Sequence, residues 1–366
     1  MKGFGEQNTS KKKENQRTEP SKEQIINQAF KFHSQGNISE AAKCYQYFIN
    51  KGYQDHRVFS NYGIILKNLG NFKDAELSYR KAIEIKPDNA EAHLNLGNIL
   101  NDLGKSEEAE LSYRKAIEIK PDFAKAYEAL GLILLEKSKY DLSVKYFSAS
   151  AKLLNDQNQQ ESNKQRFTKI SKAKIEHDIE QFEYLASNGY DPKKFTDLAI
   201  LYKKVAFEIQ WPNETKLIDI NSHHQSLLKD TYNRLIHLLE APKFKEEVVN
   251  NYLNVEKITN DYLNHEYGLT YIDNFLSSKA IKSLRDFLLG STIWFNIKEN
   301  GYVGAFLREG FANPLIFQIA NELRKKFPKI FKNYPIKHIW AFKYDSRAKN
   351  EKSPLKGINV HADFAA

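Results

Sequence analysis

The sequence predicts a mostly α chain: an α-solenoid of helical hairpins, then a helical spacer, then an α+β segment. Three observations carry that prediction. The stretch AELSYRKAIEIKPD stands at Ala75 to Asp88 and returns unchanged at Ala109 to Asp122, and a fixed period of this size is the mark of stacked helical hairpins. Between about residues 165 and 265 apolar positions recur at spacings of three and four, the spacing of one helix face. From Gly268 onward the period shortens, most clearly in Ile336 to Tyr344 (IKHIWAFKY), which alternates as a strand does. With 366 residues and a hydrophobic fraction of 41%, the chain has enough apolar material for two packed domains.

Residues 1 to 21 are polar and charge-mixed, with Lys11, Lys12 and Lys13 among Ser, Thr, Asn and Gln; so few apolar groups predict disorder. A helical register begins near Lys22. Four repeats fit it, 22 to 55, 56 to 89, 90 to 123 and 124 to 157. In the third, Leu96, Gly97 and Leu100 pack the first helix, Ala109 sits at the tight crossing, Tyr113 and Ala116 line the second helix, and Pro121 ends it. Tyr62, Gly63, Leu66, Ala75, Tyr79, Ala82 and Pro87 do the same work in the second. The fourth keeps Leu130, Gly131 and Phe147 but has Ser143 and Asn155 where Ala and Pro would stand. The first repeat is the weakest, as a terminal capping repeat is. This pattern is identified as that of the tetratricopeptide repeat (TPR) family, whose arrays bind extended peptides or helices along the concave face of the first helices. The resemblance therefore implies a protein or peptide partner.

Asn27, Asn61 and Asn95 occupy the sixth position of the first helix in three successive repeats, and Asn98 is grouped with them. Their spacing resembles the asparagine ladder of O-GlcNAc transferases, where side-chain amides grip a peptide backbone. An amide offers both a donor and an acceptor, so it can pair with a peptide unit whatever its side chain.

Residues 158 to 267 read as a helical spacer without a repeat, entered through the polar linker Gln157 to Lys164. Helices are expected over 175–186, 192–210, 227–239 and 246–262, with Trp211-Pro212 breaking the second. His223, His224 and His237 read as structural side chains, because adjacent residues face different ways and no acid stands at ligand spacing. From Gly268 a short β-like run, Leu269 to Ile272, precedes a helix capped by Ser277 or Ser278, a second helix over Pro314 to Lys326, the strand Ile336 to Tyr344, a polar loop and a last strand, Gly357 to Phe364.

That last strand carries His361 and Asp363, two residues apart and so on one face. Together with the DNFLS opening (Asp273 to Ser277), TIWF (Thr292 to Phe295), GAFL (Gly304 to Leu307) and WAFKYDSR (Trp340 to Arg347), it resembles the front half of a 2-oxoglutarate/Fe(II) oxygenase domain of the prolyl-4-hydroxylase type over residues 268 to 366. The resemblance implies the start of a double-stranded β-helix, with His361 and Asp363 as Fe(II) ligands, Tyr344 reaching the 2-oxoglutarate carboxylate, and a hydroxylase whose TPR arm recruits the substrate. The family also requires a later second histidine and a basic residue for the co-substrate. Neither stands in Phe364-Ala365-Ala366, so the reading is of a truncated domain, inactive in this chain alone, with a non-enzymatic TPR scaffold as its alternative.

The remaining composition narrows the classes further. A single cysteine, Cys44, excludes a disulfide framework and reads as a small buried apolar group. No run approaches 18 apolar residues and the N-terminus has no signal-peptide core, so a cytoplasmic protein without a membrane partner is expected. The net charge is +9, and Arg324 to Lys356 holds eleven basic residues against two acids. Without stacking aromatics or a nucleic-acid fold signature, that run reads as a solvated face and not a nucleic-acid surface.

Overall fold

The computed structural model describes residues 19–155, 164–212, 216–298, 302–331, 334, 336, 338–344 and 358–359. They form two compact units, Met1–Gly104 and Lys105–Ala366. The fold is mostly helical, with small antiparallel sheets toward the C-terminal end.

The first unit contains α1 (Lys22–Ser34), α2 (Ile38–Asn50), α3 (His56–Asn68), α4 (Phe72–Ile85) and α5 (Ala90–Asp102). Local chemistry sets their ends. Ser21 caps α1 in a capping box with Gln24, and Asp55 and Asn89 cap α3 and α5 by accepting backbone N–H groups. Between paired helices the chain turns through Gly36 and Gly70, at φ +75° and +77°, a left-handed conformation that costs glycine nothing. The interior is built on Ile26, Ala41, Tyr45, Phe48 and Val58, and half-buried Cys44 packs against it. At Gly63 an added Cβ would lie 2.8 Å from the Tyr79 ring, which explains why a glycine stands where α3 crosses α4.

The second unit opens with α6 (Ser106–Ile119), α7 (Ala124–Glu136) and α8 (Tyr140–Asn155), so helix starts recur at 22, 56, 90 and 124 and at 38, 72, 106 and 140. Ser143 is fully buried, and its hydroxyl donates to the Gly131 carbonyl at 2.7 Å, which satisfies the polar group at the helix crossing. There follow α9 (Lys164–Thr168), β1 (Lys169–Ile170), α10 (Lys172–Ser187), α11 (Pro192–Glu208), β2 (Ile218–Asp219), α12 (Ser222–Leu228), α13 (Val255–Asn264) and α14 (Ser278–Gly290). Next come β3 (Asn296–Lys298), β4 (Tyr302–Phe306), a 3-10 turn (Leu307–Glu309), α15 (Pro314–Lys326), α16 (Pro328–Phe331), β5 (Trp340–Tyr344) and β6 (Ile358–Asn359). β1 pairs with β2, and β3-β4-β5-β6 form one antiparallel sheet in chain order.

The last helical pair of the repeat region shares a core with α14, α15 and the 3-10 turn. Phe147 of α8 is buried and lies 6.4 Å from Phe317 of α15, ring to ring, in a cluster that also holds Leu135, Phe287, Trp294 and Phe311. A separate cluster centred on Phe182, Phe195 and Tyr202 joins α10 to α11.

Four expected elements differ. The helix expected over 227–239 stops at Leu228. Beyond it the chain passes Asn233 at φ +53°, and the His237 backbone pairs with Thr292, whose N–H donates to His237 O at 2.9 Å. The helix expected over 246–262 begins only at Val255, behind its cap Asn254, because residues 248–250 form a bridge with 275–277 instead. Leu269 to Ile272 takes no strand partner, and the strand expected from Ile336 is observed from Trp340. In the first two cases a non-local hydrogen-bond partner overrode the local periodicity. The β3–β4 hairpin was not expected; its residues are few and one of its strands contains Gly304, packed beneath the Phe342 ring.

Candidate peptide-binding face

The asparagines lie in the first unit, on its odd-numbered helices. Asn27 is exposed on α1, Asn61 is half-buried on α3, and Asn95 and Asn98 are half-buried on α5. The inward faces of these helices are taken by Ile26, Val58, Phe59, Leu96 and Ile99, and the amides sit at the margin of those apolar stripes.

They are not equivalent. Asn61 hydrogen-bonds the hydroxyl of Tyr45, which is also 3.2 Å from His33 Nδ1. Burial pushes the Tyr45 phenol up to about 12 and Asn61 partly offsets that shift, so the amide of Asn61 has a structural duty as well. Beside it, Arg57 stands one helical turn before Asn61 and Phe30 stands three residues after Asn27, spacings that share a helix face. The Arg57 guanidinium lies 5.7 Å from the Phe30 ring centre and makes a two-pronged contact with Asp55, at 3.0 and 2.7 Å. Held from both sides, this cation stays about half exposed. The sequence reading missed Arg57 and Phe30; their i+3 and i+4 relation to the asparagines was the available signal.

The oxygenase-type residues fare differently. His361 and Asp363 lie outside the described residues. Tyr344 ends β5, where its backbone pairs with Tyr302 of β4. Behind that strand a buried polar group joins α10 to the sheet: Lys343 of β5 donates to His177 Nδ1 at 3.0 Å and meets Glu180 at 3.3 Å. Lys174 pairs with Asp178 one turn away, both buried, and Gln181 donates to Ser291 O at 2.8 Å. Burial, with Lys343 and Lys174 nearby, holds His177 well below its usual range, so the ring is neutral and accepts the lysine N–H. None of these residues stood out in the sequence, because a lysine or aspartate on a helix is solvated far more often than buried.

Part of the basic run is occupied within its own unit, since Arg324 donates to the Ser138 hydroxyl at 3.0 Å and Lys326 meets Glu247 at 3.0 Å. His237 stands apart from the other two histidines, its Nδ1 2.5 Å from the Gly290 carbonyl. The expectation that no acid accompanies His223 and His224 is corrected: Glu208, at the end of α11, lies beside both. Among the described residues no helix is long and apolar enough to cross a membrane.

Comparison with known proteins bears on the repeat region. The family description "TPR repeat" matches residues 63–104 and 97–138. No curated protein matches the chain. Among solved structures it is similar to MamA at 23% identity, over 36% of this chain and 77% of that one, with a TM-score of 0.35. It is also similar to YrrB, described as a TPR protein with an unusual peptide-binding site, at 18% identity over 37% of this chain and 70% of that one, TM-score 0.35. The O-GlcNAc transferase of Thermobaculum terrenum matches at 21% identity over 37% of this chain and 26% of that one, TM-score 0.35. Across residues 63–138, then, the chain is built of tetratricopeptide repeats.

Proposed function

We propose that the chain is a protein-binding scaffold that holds an extended peptide segment of its partner against α1, α3 and α5. The observation that carries the reading is the recurrence of asparagine at one position of three successive first helices, Asn27, Asn61 and Asn95, with Asn98 one turn further along α5. Amides in such a row pair with peptide N–H and C=O groups, while Arg57 over Phe30 offers a cation and a ring edge to a side chain. The decisive experiment screens an immobilised peptide library with the full chain and then measures selected peptides against Asn27→Ala/Asn95→Ala. These two positions are chosen because Asn61 also supports Tyr45. Loss of two hydrogen bonds at about 0.5–1.5 kcal/mol each weakens binding about five- to a hundredfold. Equal affinity of the double variant, with unchanged helical circular dichroism, would overturn the reading.

A second reading keeps the oxygenase resemblance. It rests on the sequence blocks that carry that resemblance, the last of them next to β6, which pairs with β5. In that reading His361 and Asp363 bind Fe(II), 2-oxoglutarate is the co-substrate, and the TPR face delivers a protein substrate. Titration of the protein with Co(II) tests it: a component of the signal that disappears in His361→Ala supports the reading, and a signal wholly indifferent to that change removes it.

A further inference from the structure

We propose that Glu208, His223 and His224 form a binding site for a divalent transition-metal ion of the zinc class. One ligand atom from each lies within 4.8 Å of the other two. The site joins two elements: Glu208 is the last residue of α11, and the histidines are the second and third of α12. Asn221 caps α12 by accepting the His224 N–H at 2.8 Å, and this fixes the backbone from which both rings project. Trp211 donates its indole N–H to Ala206 O at 2.9 Å, which tethers the chain where it leaves α11.

The geometry suits an ion in size and in openness. His224 is only 5% exposed, and its Nε2 lies 2.9 Å from Glu208 Oε2. Ligands bound at about 2.0–2.1 Å in tetrahedral array stand roughly 3.3 Å apart, so an ion enters between these two atoms when they part by a few tenths of an ångström. His223 and Glu208 are exposed, so their side chains can close on the ion from the solvent side while a coordination position remains for water. His223 and His224 are sequence neighbours about 100° apart on a helix, yet their ring centres are 5.4 Å apart.

The donor set selects the class of ion. Two imidazoles and one carboxylate suit zinc, cobalt, nickel and copper, whereas calcium and magnesium favour all-oxygen cages. One competitor stands nearby: Lys204 Nζ lies 3.9 Å from the other oxygen of Glu208, on a side chain 64% exposed and free to swing into water. Binding would replace a single His–Glu hydrogen bond with a three-point clamp between α11 and α12.

The test is calorimetric titration of the metal-stripped full chain with Zn2+, repeated with Co2+ and read by visible absorption. His223→Ala and Glu208→Gln change exposed side chains and so leave the fold intact, whereas His224→Ala removes a buried ring and is avoided. The expected result is one ion bound through this site, with affinity at least about tenfold lower in each variant, a loss no smaller than an outer-shell change causes. Binding should persist in His361→Ala, which separates this site from the oxygenase reading. Zn2+ should also raise the thermal unfolding midpoint of the natural chain and not that of His223→Ala. Binding unchanged in His223→Ala and Glu208→Gln would overturn the assignment, as would a natural chain that binds no Zn2+.

Discussion

Replacing Glu322 by alanine should release the segment that precedes α13. Glu322 is buried on α15, and one of its oxygens accepts the backbone N–H groups of Val248 and Val249, each at 2.8 Å. Gln318 donates to the other oxygen at 2.8 Å but also reaches the carbonyls of Phe244 and Glu246, at 3.3 and 3.0 Å, so it keeps partners when the carboxylate is gone. The two amides do not: Val248 and Val249 are each 1% exposed. Orphaning a buried donor costs about 1–3 kcal/mol, so the pair loses about 2–6 kcal/mol, and entry of water brings the expected value to about 3 kcal/mol. At about 1.4 kcal/mol per tenfold, hydrogen exchange of residues 244–250 should accelerate roughly a hundredfold. Mass spectrometry of the full chain reads this directly, with α3 of the other unit as the unchanged control. Glu322→Gln retains one carbonyl oxygen for the amides and should cost only about 1 kcal/mol. Protection of residues 244–250 that survives Glu322→Ala would refute the claim that this carboxylate holds the segment.

Other perturbations probe the packing and the buried charges. Gly63→Ala places a methyl 2.8 Å from Tyr79 and should destabilise the first unit by about 1–3 kcal/mol in urea unfolding. Gly131→Ala meets Phe147 at the easier distance of 3.2 Å and should cost less; the reverse order would contradict the contacts described. Phe147→Ala removes a buried ring shared by α8 and α15 and should cost about 3–5 kcal/mol, with a shift in Trp294 fluorescence from the same cluster. Unchanged tryptophan emission would mean that α8 is not part of that core. His177 stays neutral in the folded chain because burial, then Lys343 and Lys174, depress its affinity for a proton, whereas the unfolded chain takes one up near pH 6.5. Its contribution to stability is therefore complete above about pH 6.5 and declines as pH falls below that value toward the depressed folded-state pKa. Urea midpoints on either side of that pH should differ less in His177→Gln than in the natural chain.

The repeat region was legible in the sequence because each of its determinants is local. Caps such as Ser21, Asp55 and Asn89, the glycines at Gly36 and Gly70, and the apolar positions of one helix face all act within a few residues, and a 34-residue recurrence then multiplies the signal. α14 and α15 were legible for the same reason, each having a side-chain cap and, in α15, a proline in its first turn. The candidate peptide face was half legible. The asparagines repeat, but that Asn61 turns toward Tyr45, and that Arg57 lies over Phe30, depends on how side chains from neighbouring helices meet.

By itself, then, the sequence determined where the repeat helices begin and end and which of their faces are apolar. Only the tertiary structure decided which helices share a core, so that α8 joins Phe317 and Trp294 in one cluster. It also decided that residues 236–250 are not helical, since amides among them bond to Thr292, Phe275 O and Glu322 from far along the chain. The meeting of Glu208 with His223 and His224 is of the same kind, because a loop brings together two helix ends with no periodic relation. The physical reason is common to all three: helix periodicity is written in neighbours three and four residues apart, whereas buried polar partners are chosen by desolvation, which acts only once distant segments have packed.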